Sequence, residues 1–519
     1  MAVVLYNGLG VYWADPLELV ELADGTKLLG EEVERERDPH SEVERVKYHV
    51  GNREFGSAFR WVELADVREI SYPDDAMKLD RTENLNYIGY LEGIETPGLD
   101  VPEADTPQER LAAAMVAAWQ KHDQEIVPIE DEAGEIGREL NREIKYAIID
   151  AEYRKKQLLR GGAPADDPEV TQIDQELECL LALEKDLKDR SHQLTLKRGK
   201  LKAALDENVA LFVDSAGRKS TIPLVDIVRF TLPNRMGFGA KVGHYAAKVW
   251  ELLWDDPREA NQDGGVFPAI MGTVLLVFLM AITCFPLGVL AGIYLGEYAK
   301  EAPLVRLVRI AVNNLAGIPS IVYGIFGLGF FIYLCGGTLD CWLYPELVEE
   351  GEMVFGQGCI LWASLTLGLL TIPVVIVSTE EALKQIPRGV KEGSYALGAT
   401  KFQTLCRVLV PMASPGMMTG FILAMARAAG EVAPLMLTGA TKIAPVPTSG
   451  DFPYVHLDRQ FMHLGFHIYD ISCKSPNVEA TKPLVYVTTL LLLAIVVTMT
   501  SLAIWLRSRM RKRYQTRAI

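Results

Sequence analysis

Arg427 and Glu431 stand four residues apart in ILAMARAAGEVAPLMLTG, residues 422–439, a segment that is otherwise apolar. On one helix that spacing puts both side chains on the same face. Charges at membrane depth are costly, and they line a cavity or pair with each other. Two chemistries are open to them: a structural ion pair that locks a bundle, or a cationic contact for an anionic solute, with Glu431 orienting or moderating Arg427. A second candidate is NNLAGIPSIVYG, residues 313–324. Asn313 and Asn314 sit near a membrane boundary, and Gly317, Pro319 and Gly324 can interrupt a helix. Broken backbone of this kind presents N–H groups to an anion, or is a packing kink.

The remaining chemistry-bearing residues say less. No GxxxxGK[ST] loop is present, so ATP hydrolysis would have to occur elsewhere. Seven cysteines without a CxxC pair are neither a zinc signature nor a disulfide framework. Cys335 and Cys341 flank the outer end of a span, where an oxidising compartment would allow a disulfide. His463 and His467 have the i, i+4 spacing of metal ligands but no third ligand. His40, His49, His122, His192 and His244 share no metal spacing, and no nucleophile–base constellation marks an enzyme.

The elements that must hold these residues follow from charge and hydropathy. Of 519 residues, 1–263 carry 33 Lys+Arg against 53 Asp+Glu, whereas 264–519 carry 19 against 15. The formal net charge of -16 argues against nucleic acid as the main partner. The second half contains five apolar runs near the length of about 20 residues that a membrane helix needs: 268–295, 311–335, 358–379, 412–437 and 484–506. Basic residues cluster in the tail RSRMRKRYQTR, in the connector 380–411, and at Lys300, Arg306 and Arg309. The loop 336–357 has five acidic residues and no basic one. The bias puts the tail, 380–411 and 298–310 inside, and 336–357 and 438–483 outside.

Five spans with an inside C-terminus leave residue 263 outside, and 17–263 with it. Residues 1–16 then read as the outer end of a first membrane helix preceding the chain as given. Within the head, alternation predicts strands at 17–24, 44–50, 58–64 and 66–71, with a hairpin at Asp24-Gly25. Helices are predicted at 107–125 and 134–160. With the polar run 170–206, the latter makes a helical hairpin or two-stranded coiled coil. Leu64, Asp66, Ile70 and Pro73 share their spacing with Leu224, Asp226, Phe230 and Pro233. That echo is chance composition, or a small β-rich module interrupted by the hairpin. Residues 237–256, with Trp250 and Trp254, have the amphipathic pattern of a helix on the outer membrane surface. The expected fold is an all-α polytopic membrane domain, 264–519, with an α+β periplasmic domain, 17–263, containing a helical hairpin at about 134–206.

The connector 380–411, EEALKQIPRGVKEGSYALGATKFQTLCRVLVP, is too helix-friendly for a floppy loop. Glu392-Gly393-Ser394, Gly398 and Val408-Leu409-Val410-Pro411 match the spacing of the ABC permease coupling motif EAA–x3–G–x9–I–x–LP. Gly393 and Ser394 stand where two alanines are usual, and Val408 and Val410 where Ile and Leu are usual. With NNLAGIPSIVYGIFGLG at 313–329 and ARAAGEVAPLMLTGA at 426–440, residues 264–506 resemble the permease subunit of the bacterial phosphate ABC importer, the PstA type. The head resembles the enlarged form of that permease with a long outer loop. The resemblance implies a type I importer permease fold, normally of six spans. It also implies a second homologous permease, a cytoplasmic ATPase dimer that binds ATP and magnesium, and a periplasmic phosphate-binding protein. In the membrane, Arg427 and Glu431 would serve phosphate passage, and Glu392, Gly393, Ser394, Gly398 and Pro411 the ATPase contact. Another oxyanion or an organophosphate is the alternative substrate, and a membrane sensor or scaffold the alternative class.

Overall fold

In the computed structural model the described residues are 2–37, 43–102, 104–162, 164, 167–258, 261, 263–300, 302–448, 454–475 and 478–515. His40 and the last residues of the basic tail lie outside them. Residues 12–249 with 345–352 form one compact unit; 1–11, 250–344 and 353–519 form the other.

Helix α1 (Ala2–Gly10) belongs to the second unit. The first unit begins with strands β1 (Glu18–Leu22), β2 (Lys27–Arg37), β3 (Glu44–His49), β4 (Phe59–Glu63) and β5 (Val67–Ser71). Strands β6 (Met77–Arg81), β7 (Tyr87–Glu95), β8 (Val209–Val213), β9 (Lys219–Pro223) and β10 (Ile227–Thr231) make a second sheet. The orders are β4-β3-β2-β1-β5 and β10-β6-β7-β8-β9. Each is therefore an antiparallel meander of four strands whose fifth strand returns to pair with the first. A three-residue 3-10 turn, Leu64–Asp66 or Leu224–Asp226, introduces the fifth strand in both. The sequence echo marks this shared turn and strand, so the module occurs twice.

Only the second copy is interrupted. Between β7 and β8 lie α2 (Pro107–Glu125), α3 (Val127–Glu139), α4 (Lys145–Arg160) and α5 (Pro168–Asp206). Thr106 caps α2 by accepting from Glu109 N–H, and Asp167 caps α5 by accepting from Glu169 N–H, each with proline in the first turn. Helix α3 runs into α4 through a wide turn at Leu140–Ile144, so the first arm begins seven residues before the expected 134. Ile136 and Ile144 pack on Leu187, and Ala151 on Ile173 and Leu177, so the arms are antiparallel. Strands β6 and β7 were not anticipated, because β6 reads MKLDR, with Asp80 and Arg81 buried and Lys78 half-buried. Lys78 pairs with Glu31 at 2.7 Å, and Asp80 with Lys248 at 2.7 Å.

Helix α6 (Phe238–Trp254) is followed by α7 (Phe267–Ile293), α8 (Pro303–Leu315), α9 (Ser320–Phe326), α10 (Gly337–Leu343), α11 (Pro345–Glu349), α12 (Ile360–Lys384), α13 (Arg388–Ala396), α14 (Lys401–Thr404), α15 (Val410–Gly430), α16 (Ala433–Thr438), α17 (Leu464–Cys473) and α18 (Val478–Gln515), of which α11 belongs to the first unit. Helices α9 and α10, and likewise α14 and α15, are joined through π-helical turns. Among the described residues, five resulting helices are long and apolar enough to cross a membrane: Phe267–Tyr298, Ser320–Leu343, Ile360–Lys384, Lys401–Gly430 and Thr481–Arg509. Helix α12 lies at the centre of the bundle. Its Val375 would sit 2.7 Å from a Cβ on Gly288 of α7, and its Ser378 side chain fills the space beside Gly420 of α15. Glycine lets both neighbours approach closely. Helix α1 packs against α18, where Gly8 faces the Tyr486 carbonyl.

The second and fourth spans differ from the sequence expectation. Residues 303–315 form the separate α8, and the second span starts at Ser320 rather than 311, because Pro319 cannot donate to Leu315 as a continuous helix requires. The fourth span stops at Gly430 rather than 437. Pro434 lacks the N–H that would reach the Gly430 carbonyl, and its ring would clash with that oxygen. Cys335 and Cys341 are free thiols. They lie six residues apart along one helical run, a rise of about 9 Å, beyond the Cα separation a disulfide tolerates.

Candidate functional site

Both helix breaks fall in the membrane unit and pack together. At the first, Pro319 is extended (φ -55°, ψ 136°) between α8 and α9. The buried Tyr323 bridges the gap, its hydroxyl donating to the Leu315 carbonyl at 2.7 Å. At the second, Glu431 is extended (φ -78°, ψ 134°) just after α15. A Cβ on Gly324 would lie 2.8 Å from Pro434 Cα, so only glycine lets α9 and α16 meet this closely. Tyr323, Ala428, Ala429 and Leu435 share one buried cluster, with Leu315, Ile318 and Val432 packed on it.

Arg427 and Glu431 do not share one helix, which corrects the expectation from their spacing. They meet across the end of α15, Arg427 Nε donating to Glu431 Oε1 at 3.3 Å. Their side chains are 32% and 19% exposed, so the pair is reachable without being freely solvated.

Asn313 and Asn314 end α8 with exposed side chains, which make no hydrogen bond among the described residues. The structure therefore does not bond them to Arg427 or Glu431. Nor are the amides of Gly317 and Ile318 presented to a ligand. They donate to the carbonyls of Asn314 and Leu315 at 3.0 and 3.2 Å, closing the turn.

The sequence reading missed two participants at the breaks. Tyr323 had a legible signal, an aromatic hydroxyl just beyond a Gly-Ile-Pro interruption. Gly465 had none: a Cβ there would lie 2.9 Å from Val432, which puts the start of α17 against the second break. His463 begins that helix, its Nδ1 accepting from Gly465 N–H. Burial depresses His463 and His467 to about 4, so both are neutral near pH 7. Among the described residues, no cluster of three or more His, Cys, Asp or Glu side chains has metal geometry.

Residues 380–411 form a compact helical turn. Gly398 takes φ +79°, the left-handed conformation that reverses the chain after α13. Thr400 and Gln403 then form a reciprocal capping box at the start of α14. Ser394 Oγ lies 2.9 Å from Thr404 Oγ1, fixing the two helices across the turn. The wide turn at Leu405–Leu409 ends two residues before Pro411, which cannot donate in the normal ladder. Glu392 and Gly393 are exposed.

This turn is tied to the end of the first span and to α8. Glu380 pairs with Arg309 at 3.1 Å and Lys384 at 2.7 Å. Glu297 pairs with Lys391, and Lys401 lies over the Tyr298 ring. On its free side Leu397 is 91% and Phe402 67% exposed, with Tyr395 beside them. Apolar side chains gathered this way suit a protein contact.

The sequence pattern described as "Binding-protein-dependent transport system inner membrane component" matches residues 288–512. Over 174 residues the chain is 37% identical to the phosphate transport system permease protein PstA of Mycobacterium leprae (strain TN), covering 34% of this chain and 51% of that protein. Over 225 residues it is 30% identical to the probable ABC transporter permease protein YqgI of Bacillus subtilis (strain 168), covering 42% of this chain and 70% of the relative. Against the first relatives the chain spans only 51% and 58% of their length. A solved structure of the MetNI methionine ABC transporter is 22% identical, with 51% of this chain and 94% of that one covered, at a TM-score of 0.31 that carries no weight here. The five membrane-length helices among the described residues make the protein a multi-pass inner-membrane protein with a β-rich region before them. The match to the Bacillus permease over 70% of its length, joined by the pattern over 288–512, establishes that the chain belongs to the binding-protein-dependent transport system inner membrane component family.

Proposed function

We propose that this chain is a permease subunit of an ATP-driven phosphate importer, forming half of the translocation pathway. The observation that carries the reading is the Arg427–Glu431 pair, partly exposed at a helix break inside the membrane unit. A guanidinium held there by one carboxylate keeps N–H donors for an oxyanion. Glu431 restrains Arg427 without neutralising every donor, so phosphate can bind in passing rather than lodge. Asn313 and Asn314, exposed at the end of α8, add polar contacts along the route. The phosphate permeases among the relatives support this substrate.

The turn at 380–411 is the contact for a cytoplasmic ATPase dimer, which binds ATP and magnesium. Glu392, Gly393, Ser394, Gly398 and Pro411 shape it, and Leu397 and Phe402 enter the ATPase surface. The ion pairs Glu380–Arg309 and Glu297–Lys391 carry its movement to α8 and to the end of the first span. A second homologous permease completes the pathway, and a periplasmic phosphate-binding protein delivers the substrate. Residues 17–263 then lie outside as the periplasmic domain, with the basic C-terminal tail inside.

The test is ATP-dependent uptake of labelled phosphate into vesicles holding the complete transporter, with native chain or Arg427→Ala. Uptake abolished while the ATPase still co-purifies supports the reading. Unchanged uptake makes the ion pair purely structural. An intact complex that takes up another oxyanion and not phosphate moves the substrate assignment and leaves the permease role.

A further inference from the structure

Helix α6 sends its charged residues to one side and exposes none on the other. On the enclosed side, Lys248 Nζ is 2.7 Å from Asp80 Oδ2, both side chains about one-tenth exposed. Lys241 Nζ donates to the Ala14 carbonyl at 2.7 Å, and Glu251 pairs with Arg258 next to buried Leu252. Every fourth residue from Phe238 makes the other side: Phe238, Val242, Ala246, Trp250 and Trp254, with glycine and alanine beside them. The large side chains among them are 76%, 45%, 64% and 56% exposed. Four such side chains on a 17-residue helix, without a charge among them, are not a water-facing pattern.

We propose that α6 is an interfacial anchor, its uncharged band lying in the headgroup–acyl boundary of the bilayer. The choice of lipid over a protein groove rests on continuity with the membrane. The Trp254 ring stacks on Phe267 at 5.8 Å, and Phe267 opens the first span, so the band runs into a helix whose Phe278 and Ile282 are themselves exposed. Indole rings suit that boundary, having an apolar body and one N–H for the wet side. The ion pairs on the enclosed side prevent α6 from rolling and turning the band to water. The lipid therefore holds the helix that joins the β-rich unit to the first span.

The test places the photoreactive residue benzoylphenylalanine at Val242, Ala246 or the water-exposed Arg68 of the full chain. The chain is expressed with its partners and reconstituted in phosphatidylethanolamine–phosphatidylglycerol vesicles. After illumination, mass spectrometry reads the adducts. Phospholipid adducts at 242 and 246, several-fold above those at 68, are expected. Adducts at 242 and 246 to a protein chain, or lipid adducts no more frequent than at 68, would overturn the proposal. A second arm uses Val242→Glu with Ala246→Lys, expected to raise proteolytic cleavage within α6 several-fold while the Lys248–Asp80 side stays protected. Unchanged cleavage in vesicles would also overturn it.

Discussion

The Tyr323 hydroxyl donates to the Leu315 carbonyl at 2.7 Å, spanning the interruption that Pro319 makes between α8 and α9. One side chain thus satisfies the end of one helix from inside the next. Its ring, buried with Leu435 and Ala428, ties that interruption to the break beside Glu431. The two irregular stretches of membrane backbone are consequently a single structural feature.

Tyr323→Phe keeps the buried ring and removes only the donor. Because the Ile318 amide also reaches the Leu315 carbonyl, the loss is about 1 kcal/mol in stability. Thermal unfolding of the purified complex should shift slightly, whereas hydrogen exchange at 315–320 should accelerate clearly. Exchange unchanged there would mean that packing alone holds the break.

Gly398→Ala tests the cytoplasmic turn. No atom lies within 4 Å of the position its Cβ would take, so the whole effect comes from φ +79°. The strain is roughly 1–2 kcal/mol. The chain should still insert and assemble, but ATPase recruitment or its stimulation by substrate should fall. Normal ATP hydrolysis coupled to normal uptake would show that the reversal tolerates a side chain.

The β-rich unit should weaken in acid through Glu31. Burial raises the Glu31 carboxyl, but Lys78 at 2.7 Å and His49 outweigh it and bring it from 4.5 to about 2. A depressed carboxyl contributes stability that is complete above pH 4.5 and lost as pH falls toward 2. The contribution is on the order of 3 kcal/mol. Hydrogen exchange of β2 and β6 measured from pH 7 to 2.5 should follow that slope. Lys78→Met should reverse it, because burial then favours the protonated acid.

Helix α11 and the residues after it rest on α4 through three exposed ion pairs. Glu349, Glu350 and Glu352 meet Arg160, Lys156 and Lys145 at 2.8, 2.6 and 2.8 Å. Each contributes less than about 1 kcal/mol and is screened by salt. Single Glu→Gln changes should be nearly silent. Together the three should expose 345–352 to exchange, as should raising salt on the native chain. Protection that persists in both cases would assign the contact to Leu347, which is buried.

Much of this molecule is legible in one dimension because lipid imposes a strong rule. A run such as LVYVTTLLLLAIVVTMTSLAIWL has no folded solution in water that hides it, so hydropathy alone announces the last span. Spacing was equally informative at 380–411, where Gly398 and Pro411 act through their own backbone geometry and need no distant partner. The echo at Leu64 and Leu224 marked a turn and strand that recur in both sheets.

Tertiary structure decided whatever depends on a distant partner. Strand β6 hid because Lys78 and Asp80 look solvated until Glu31 and Lys248 arrive from elsewhere in the chain to pair with them. Glu380, Arg309, Glu297 and Lys391 are ordinary connector charges until α12 and α13 bring them together. The spacing of Arg427 and Glu431 announced a pair, but Pro434 ends the helix between them, so the contact is made across a break. Periodicity reports local conformation. Which buried charge meets which, and where two interrupted helices touch, are set by packing between segments far apart in the chain.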